Sequence, residues 1–373
     1  MTLLEELRGI IALEGPISVE RYMELCLAHP AYGYYATRDP FGVRGDFTTA
    51  PEISQMFGEM IGLWAVEVWE RLGSPRPLRL VEFGPGRGTL MADLLRAARV
   101  RPAFLEAVSV HLVETSPALR RAQRERLREV ATPVEWHPRF GEVPGGPTIA
   151  VANEFLDALP VRQYVATERG WCERLVGLGP EGKLAFGLSG EPAALRRSGG
   201  RPGSLLEQAP ARAAIVAELA ARLAAQGGAA LLIDYGYEGP ALGDTLQAVR
   251  AHTFADPLAH PGDADLTAHV DFGALGAAAL TAGGAVAGPV EQGAFLRALG
   301  IEARADRLKR DATPAQACAV EAAFGRLIGR DRDQMGQLFK VFAISHPGVL
   351  DLPGLPPLRS HREPDLPHGH RSS

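Results

Sequence analysis

Residues 78–89 read LRLVEFGPGRGT, a run with apolar strand character that leads straight into three glycines and a proline. This junction constrains the fold more than any other stretch. Glycine takes up positive φ readily and lets a backbone come close to a ligand. A turn that follows a buried strand and opens a helix aims its N–H groups beyond the strand's carboxyl end, where open α/β sheets bind ligands. The flanking pattern supports such a sheet: strand character at 78–83, 107–114, 133–137 and 148–154 alternates with helical periodicity at 87–99 and 117–130. Strand and helix alternating at this spacing predict a parallel sheet wrapped by helices.

The rest of the chain elaborates on that core. Helices are expected at 2–13 and 18–28, the second capped by Ser18, followed by a Gly-, Pro- and aromatic-rich loop or lid over 29–52. A single long helix is predicted over 51–72, with Pro51 in its first turn. VRQYVAT, WCERLVGL and KLAFGL, separated by turn-forming residues, predict an antiparallel meander inserted at about 161–208. Helix 209–226 and strand 229–237 resume the alternation, a polar Gly-rich stretch runs to about 272, and helices follow at 273–282, 291–299, 302–310 and 314–328. A strand at 337–345 closes the sheet. The expected organisation is therefore a helical cap (1–75), a core domain with its insertion (76–346), and a Pro-rich unstructured tail (347–373).

Composition excludes several classes. At 373 residues, 46% hydrophobic and 22% charged, the chain is large enough for a substantial core, and its formal net charge of −5 offers no basic footprint for DNA. No run reaches the roughly 18–20 apolar residues needed to span a bilayer, so no membrane insertion is expected. The N-terminal MTLLEELRGIIALEG lacks the features of a signal or transit peptide, and Cys26, Cys172 and Cys318 form no CxxC pair; a cytoplasmic, reducing setting is the expectation. His260, Asp263, Asp265 and His269 fit no familiar metal-ligand spacing, and His361, His368 and His370 lie in the tail, so no metal is expected.

The glycine turn admits three nucleotide-type readings. A P-loop needs a lysine after its glycines, but the first lysine in the chain is Lys183. A dinucleotide turn needs GxGxxG, whereas Gly84, Gly86 and Gly88 are spaced GxGxG. S-adenosylmethionine has no pyrophosphate and asks instead for close backbone contact with its amino acid and ribose. Glu114, ending the next strand, stands where an acid would accept ribose hydroxyls, which serves NAD as well as S-adenosylmethionine.

The choice narrows through an ordered series of motifs: HPAYGYY (29–35), GDFTTAPEISQMFGE (45–59), VEFGPGRGTL (81–90), HLVETSP (111–117), ANEFLDALPV (152–161), IDYGY (233–237), GDTLQAVRAH (243–252), ADLTAHVDF (264–272) and MGQLFKVFAI (335–344). In these the chain resembles the MidA family of class I S-adenosylmethionine-dependent methyltransferases, which includes a mitochondrial complex I assembly factor that methylates an arginine. The resemblance implies a Rossmann-like class I methyltransferase core, S-adenosyl-L-methionine as cofactor, and a protein substrate such as a respiratory complex I subunit. It further implies that Thr48, Glu82, Gly84, Pro85, Gly86, Gly88, Glu114, Asn153 and Glu154 hold the cofactor, and that the loop around Asp46 folds over it. His269 stands where some relatives have an acid, and the tail has no counterpart.

Methyl transfer mainly requires an acceptor lone pair held in line with the methyl group. A guanidinium acceptor arrives charged, and carboxylates can localise that charge and orient one nitrogen. Glu154, Asp157 and Asp265 are the candidates, Glu154 first. The competing structural roles are helix or loop capping for Glu154, Asp157, Thr48 and Thr49. An acceptor of another kind, a small molecule or RNA, or a non-catalytic assembly factor keeping the fold, stays open at this point.

Overall fold

The computed structural model describes residues 2–37, 48–195, 200–331, 333–349 and 351–360. Asp46 and the three tail histidines lie outside them. The main sheet runs, in spatial order, Ala285–Glu291, Phe339–Ser345, Gly228–Tyr237, Thr148–Asn153, Leu78–Phe83, Val108–Val113 and Val134–His137, with Val270–Asp271 added beside Gly228–Tyr237. The five strands from Gly228–Tyr237 to Val134–His137 are parallel. Phe339–Ser345 is antiparallel to both its neighbours. This is the Rossmann-like α/β core expected from the sequence.

Strands buried on both faces carry little polar alternation. All six residues of Thr148–Asn153 are buried. Helices Gln55–Arg71 and Thr89–Ala97 cover one face, packing Phe57, Trp64 and Leu94 over Leu80 and Ile149. Pro210–Gln226 and Phe272–Thr281 cover the other, around Leu219, Phe272 and Phe342. The strand order reverses between Leu78–Phe83 and Thr148–Asn153, whose carboxyl ends are in register at Phe83 and Ala152. The ligand crevice of an open sheet belongs at that switch point.

The N-terminal helices Leu3–Glu14 and Val19–Ala28 begin at Thr2 and Ser18, whose hydroxyls accept N–H bonds from Glu5 and Arg21. Ile17–Ser18, between them, pairs with Gly170–Leu178, so the cap and the inserted strands share one sheet. That sheet contains Arg162–Thr167, Gly170–Leu178, Leu184–Pro192 and Leu205–Gln208, all paired antiparallel.

Four local expectations are corrected. The predicted helix 51–72 is two helices, Ala50–Ile53 and Gln55–Arg71, because Ser54 is extended (φ −162°) and its side chain caps Met56. Ala285–Glu291 is a strand that the sequence hid: it contains Gly288 and Pro289, and its pairing slips between Ala287 and Val290. Proline within a run argues against a strand except at edges and bulges. The polar stretch before residue 272 holds a three-stranded sheet of Gln247–Arg250, Thr253–Ala255 and Asp265–Thr267. The Pro-rich segment is packed as far as Arg359, which pairs with Val286, and Leu352 is buried.

Candidate functional site

The glycine turn has the geometry its composition demands. Gly84, Gly86 and Gly88 have φ of 56°, 53° and 81°, values that L side chains rarely adopt. A Cβ on Gly84 would lie 2.8 Å from the ring of Phe155, so the position excludes alanine on space as well as on φ. Gly84 N–H donates to Val113 O at 3.0 Å and Gly88 N–H to Pro85 O at 2.7 Å, which fix the turn against the neighbouring strand.

Glu114 extends from the next strand as predicted, and its carboxylate is held from two sides. Ser116 N–H donates to Oε1 at 2.7 Å, and Gln123 Nε2 donates to Oε2 at 3.2 Å. The same Gln123 amide donates to Gly86 O at 2.8 Å, while its Oε1 accepts from Trp136 Nε1 at 2.9 Å. Gln123 is fully buried and couples turn to acid. Sequence reasoning missed it because an internal glutamine in PALRRAQRERLREV carries no signal beyond helical polarity. Burial raises the Glu114 carboxyl, with the Ser116 and Gln123 bonds opposing that rise.

Across the switch point, Glu154 adopts φ 50°, uncommon for a non-glycine residue. Its Oε1 accepts from Ala50 N–H at 2.9 Å and Asn153 Nδ2 at 3.0 Å. The break at Ser54 therefore matters, since the short helix it isolates presents Ala50 to Glu154. Burial pushes the Glu154 carboxyl up to about 8, the Ala50 bond opposing and the charge of Asp157 adding. Glu82 is likewise pushed to about 8 by burial and then by Glu114. Glu82 Oε2 and Asn153 Oδ1 are buried without a hydrogen-bond partner among the described residues. With Pro85, these two line a small void of about 30 Å³ behind the glycine turn.

Asp234 organises the segment after Glu154. Its Oδ2 accepts the N–H groups of Leu156 and Asp157 at 2.9 and 3.1 Å, and its Oδ1 accepts that of Tyr235 at 2.9 Å. Arg212, also buried, donates to the carbonyls of Asp157, Leu159, Ala268 and His269. Asp157 Oδ1 is buried without a hydrogen-bond partner among the described residues, and burial raises the Asp157 carboxyl, with the nearby Tyr235 hydroxyl and then the charge of Arg212 opposing that rise. Asp265 accepts from Tyr35 Oη at 2.9 Å, and burial, followed by the charge of Asp265, raises the Tyr35 hydroxyl well above its ordinary value.

Tyr35, Glu114, Glu154, Asp157 and Asp265 face one cavity of about 1680 Å³, larger than the roughly 300–1,000 Å³ of an ordinary small-molecule pocket. Of the predicted residues, Thr48, Gly84, Gly86, Glu114, Glu154, Asp157 and Asp265 line it. Glu82, Pro85 and Asn153 sit in the small void instead, and Gly88 packs beside Gln123 and caps helix Thr89–Ala97. His269 lines the cavity with its ring edge-on to Tyr235 at 5.3 Å. Among the described residues the clustered potential metal ligands are His111, Glu135 and His137, and the two histidines hydrogen-bond each other at 3.0 Å.

The residues fit S-adenosylmethionine: a turn whose three glycines carry no Cβ, an acid at the next strand end, and buried acceptors around the turn. A family of S-adenosyl-L-methionine-dependent methyltransferases matches residues 60–290. The chain is 39% identical to Protein arginine methyltransferase NDUFAF7 homolog, mitochondrial, of Drosophila melanogaster, covering 94% of this chain and 86% of that protein. It is 36% identical to Protein arginine methyltransferase NDUFAF7, mitochondrial, of Homo sapiens, covering 92% and 83%. Among solved structures, a Burkholderia thailandensis protein bound to S-adenosyl-homocysteine superimposes with a TM-score of 0.80 at 31% identity over 96% of each chain. The relatives' mitochondrial names overturn the cytoplasmic expectation. Fold, glycine turn and relatives agree: the chain belongs to the MidA-like family of S-adenosylmethionine-dependent methyltransferases.

Proposed function

We propose that this methyltransferase acts on the guanidinium of an arginine in a protein, specifically a subunit of respiratory complex I. The observation that carries the reading is the convergence of Glu154, Asp157 and Asp265 on the cavity into which Gly84 and Gly86 open. The arginine methyltransferase names of the relatives support the acceptor.

When bound, S-adenosylmethionine supplies an electrophilic methyl group on a sulfonium, ready for in-line displacement. The chain's own residues hold and orient. In this reading the backbone of Gly84 and Gly86 and the side chain of Thr48 bracket the cofactor, with Pro85 and Gly88 shaping the turn. Glu114 accepts the ribose hydroxyls on lone pairs that Ser116 and Gln123 leave open. Glu82, Asn153 and Glu154 form the floor beneath the turn. Asp157, with an unpartnered buried oxygen, and Asp265, oriented by Tyr35, receive the guanidinium. A guanidinium has a pKa above 12 and enters charged. Paired carboxylates draw its positive charge toward the nitrogens they bond, leave a third nitrogen to face the methyl group, and would take up the proton that this nitrogen gives up when its bond to the methyl carbon forms and the methyl–sulfur bond breaks.

Intact-mass analysis of complex I subunits from cells with and without this gene tests the target. A subunit lighter by steps of about 14 Da, the mass of one methylene, in the deletion strain supports it. Identical masses with assembly impaired would point to a partner-holding role.

A further inference from the structure

We infer that the hairpin formed by Gln247–Arg250 and Thr253–Ala255 is the docking platform for the polypeptide flanking the target arginine, with Phe254 recognising an apolar neighbour of that arginine. The inference rests on the protein-arginine reading above. Of the eight large apolar side chains exposed among the described residues, Phe254 is the aromatic one, at 79% exposure. It lines the cavity, together with Val249 and, from another part of the chain, Leu338, itself 47% exposed. Singly exposed apolar side chains are ordinary, but an exposed aromatic ring grouped with Val249 and Leu338 at the border of a cleft forms a patch on which a partner's apolar side chain can be buried.

Register strengthens the assignment. Phe254 pairs with Val249, and Val249 pairs with Asp265 on its other side. Residues directly opposite one another project from the same face. The three-stranded sheet thus presents one row that begins at an exposed aromatic, crosses a valine, and ends at the buried acid assigned to the guanidinium. Adjacent strands lie ~4.8 Å apart, so the row spans about 10 Å. An extended chain advances roughly 3.3–3.6 Å per residue. An arginine reaching inward to Asp265 therefore places a residue within about three positions of itself over Phe254.

The hairpin is also held in an unusual conformation. Its two-residue tip, Ala251 and His252, has φ of 49° and 60°, values that a tight hairpin of this kind normally meets with Asn-Gly. Non-glycine residues kept there hold the hairpin in one costly conformation, a feature that clusters at ligand clamps. Charge is complementary too: even without Glu154, which burial keeps largely protonated at neutral pH, Glu24, Glu114, Asp157, Asp265 and Asp333 line the cavity, against two arginines, Arg121 and Arg326. The occupant that fits is an extended segment with a cationic side chain and a nearby apolar one.

A library of short peptides with one central arginine and randomised flanks, methylated with labelled S-adenosylmethionine and sequenced by mass spectrometry, tests this with the full chain. The wild type is expected to enrich apolar residues at a flanking position by about tenfold, equivalent to ~1.4 kcal/mol, and Phe254→Ser to flatten that preference to within about twofold while cofactor affinity stays unchanged. A wild type with no flank preference, or a Phe254→Ser enzyme that keeps it, overturns the docking assignment and leaves arginine methylation standing. A wild type that binds cofactor yet methylates no arginine in the library overturns both.

Discussion

Gln123 donates one amide group to Gly86 O at 2.8 Å and to the Glu114 carboxylate at 3.2 Å, linking the glycine turn to the acid that follows the next strand. The link makes turn and acid one unit. Gln123→Leu removes both bonds from a buried site, and the affinity for S-adenosylmethionine should fall by roughly tenfold or more, on the scale of 1–3 kcal/mol for unmet buried groups. Calorimetry with cofactor analogues lacking ribose hydroxyls separates positioning from general destabilisation. Deleting the hydroxyls should cost less in Gln123→Leu than in the wild type; an equal cost in both would show that Gln123 does not position Glu114.

Gly84→Ala meets two obstacles, the positive φ and the Phe155 ring 2.8 Å from the new Cβ. Alanine at positive φ costs about 1 kcal/mol before any clash, so a fall in thermal stability is expected together with loss of cofactor binding. Gly84→Ala combined with Phe155→Ala should recover stability more than binding. Equal binding in Gly84→Ala and wild type would contradict the close approach assigned to this turn.

Glu154, pushed up to about 8 by burial, makes a pH-dependent contribution whose sign is fixed. Its folded-state value lies above the ordinary 4.5, so its contribution is fully favourable below about 4.5, declines as pH rises toward about 8, and is level above that. Glu154→Gln keeps an acceptor for Ala50 N–H and removes the titration. Over that interval its stability should decline less steeply with pH than the wild type's, by at most about 1.4 kcal/mol per pH unit. Urea unfolding at several pH values measures the difference, and parallel curves would contradict the assignment.

Asp265→Asn preserves shape and removes the charge that the proposed guanidinium meets. A fall in kcat of roughly a hundredfold, equivalent to ~2.7 kcal/mol, is expected on an arginine acceptor, with cofactor affinity little changed. Tyr35→Phe, which removes the 2.9 Å bond to Asp265, should lower kcat less. Steady-state kinetics with cofactor binding measured separately decides the point; a cofactor defect without a kcat defect would move Asp265 to the cofactor side.

What could be read from the sequence follows from how local each signal is. The parallel core and the glycine turn rest on apolar runs and punctuation within a few residues, and both are where the pattern placed them. Ala285–Glu291 was hidden because Gly288 and Pro289 interrupt it, and only its partner Phe339–Ser345 makes it a strand. Ser54 breaks a helix whose apolar spacing runs on unbroken. The site shows the same division. Gly84, Glu114 and Glu154 sit at strand ends and are legible from position, whereas Gln123, Asp234, Arg212 and Tyr35 each make a bond to a residue at least 30 positions away, which no local pattern reveals.

The most direct test of the account is the identity of the methylated atom. The purified chain, incubated with isotopically labelled S-adenosylmethionine and isolated complex I subunits, should place label on arginine ω-nitrogens after acid hydrolysis and amino-acid analysis, and the Asp265→Asn chain should place far less. Label on another residue type or on a small molecule, with arginine unlabelled, would contradict it.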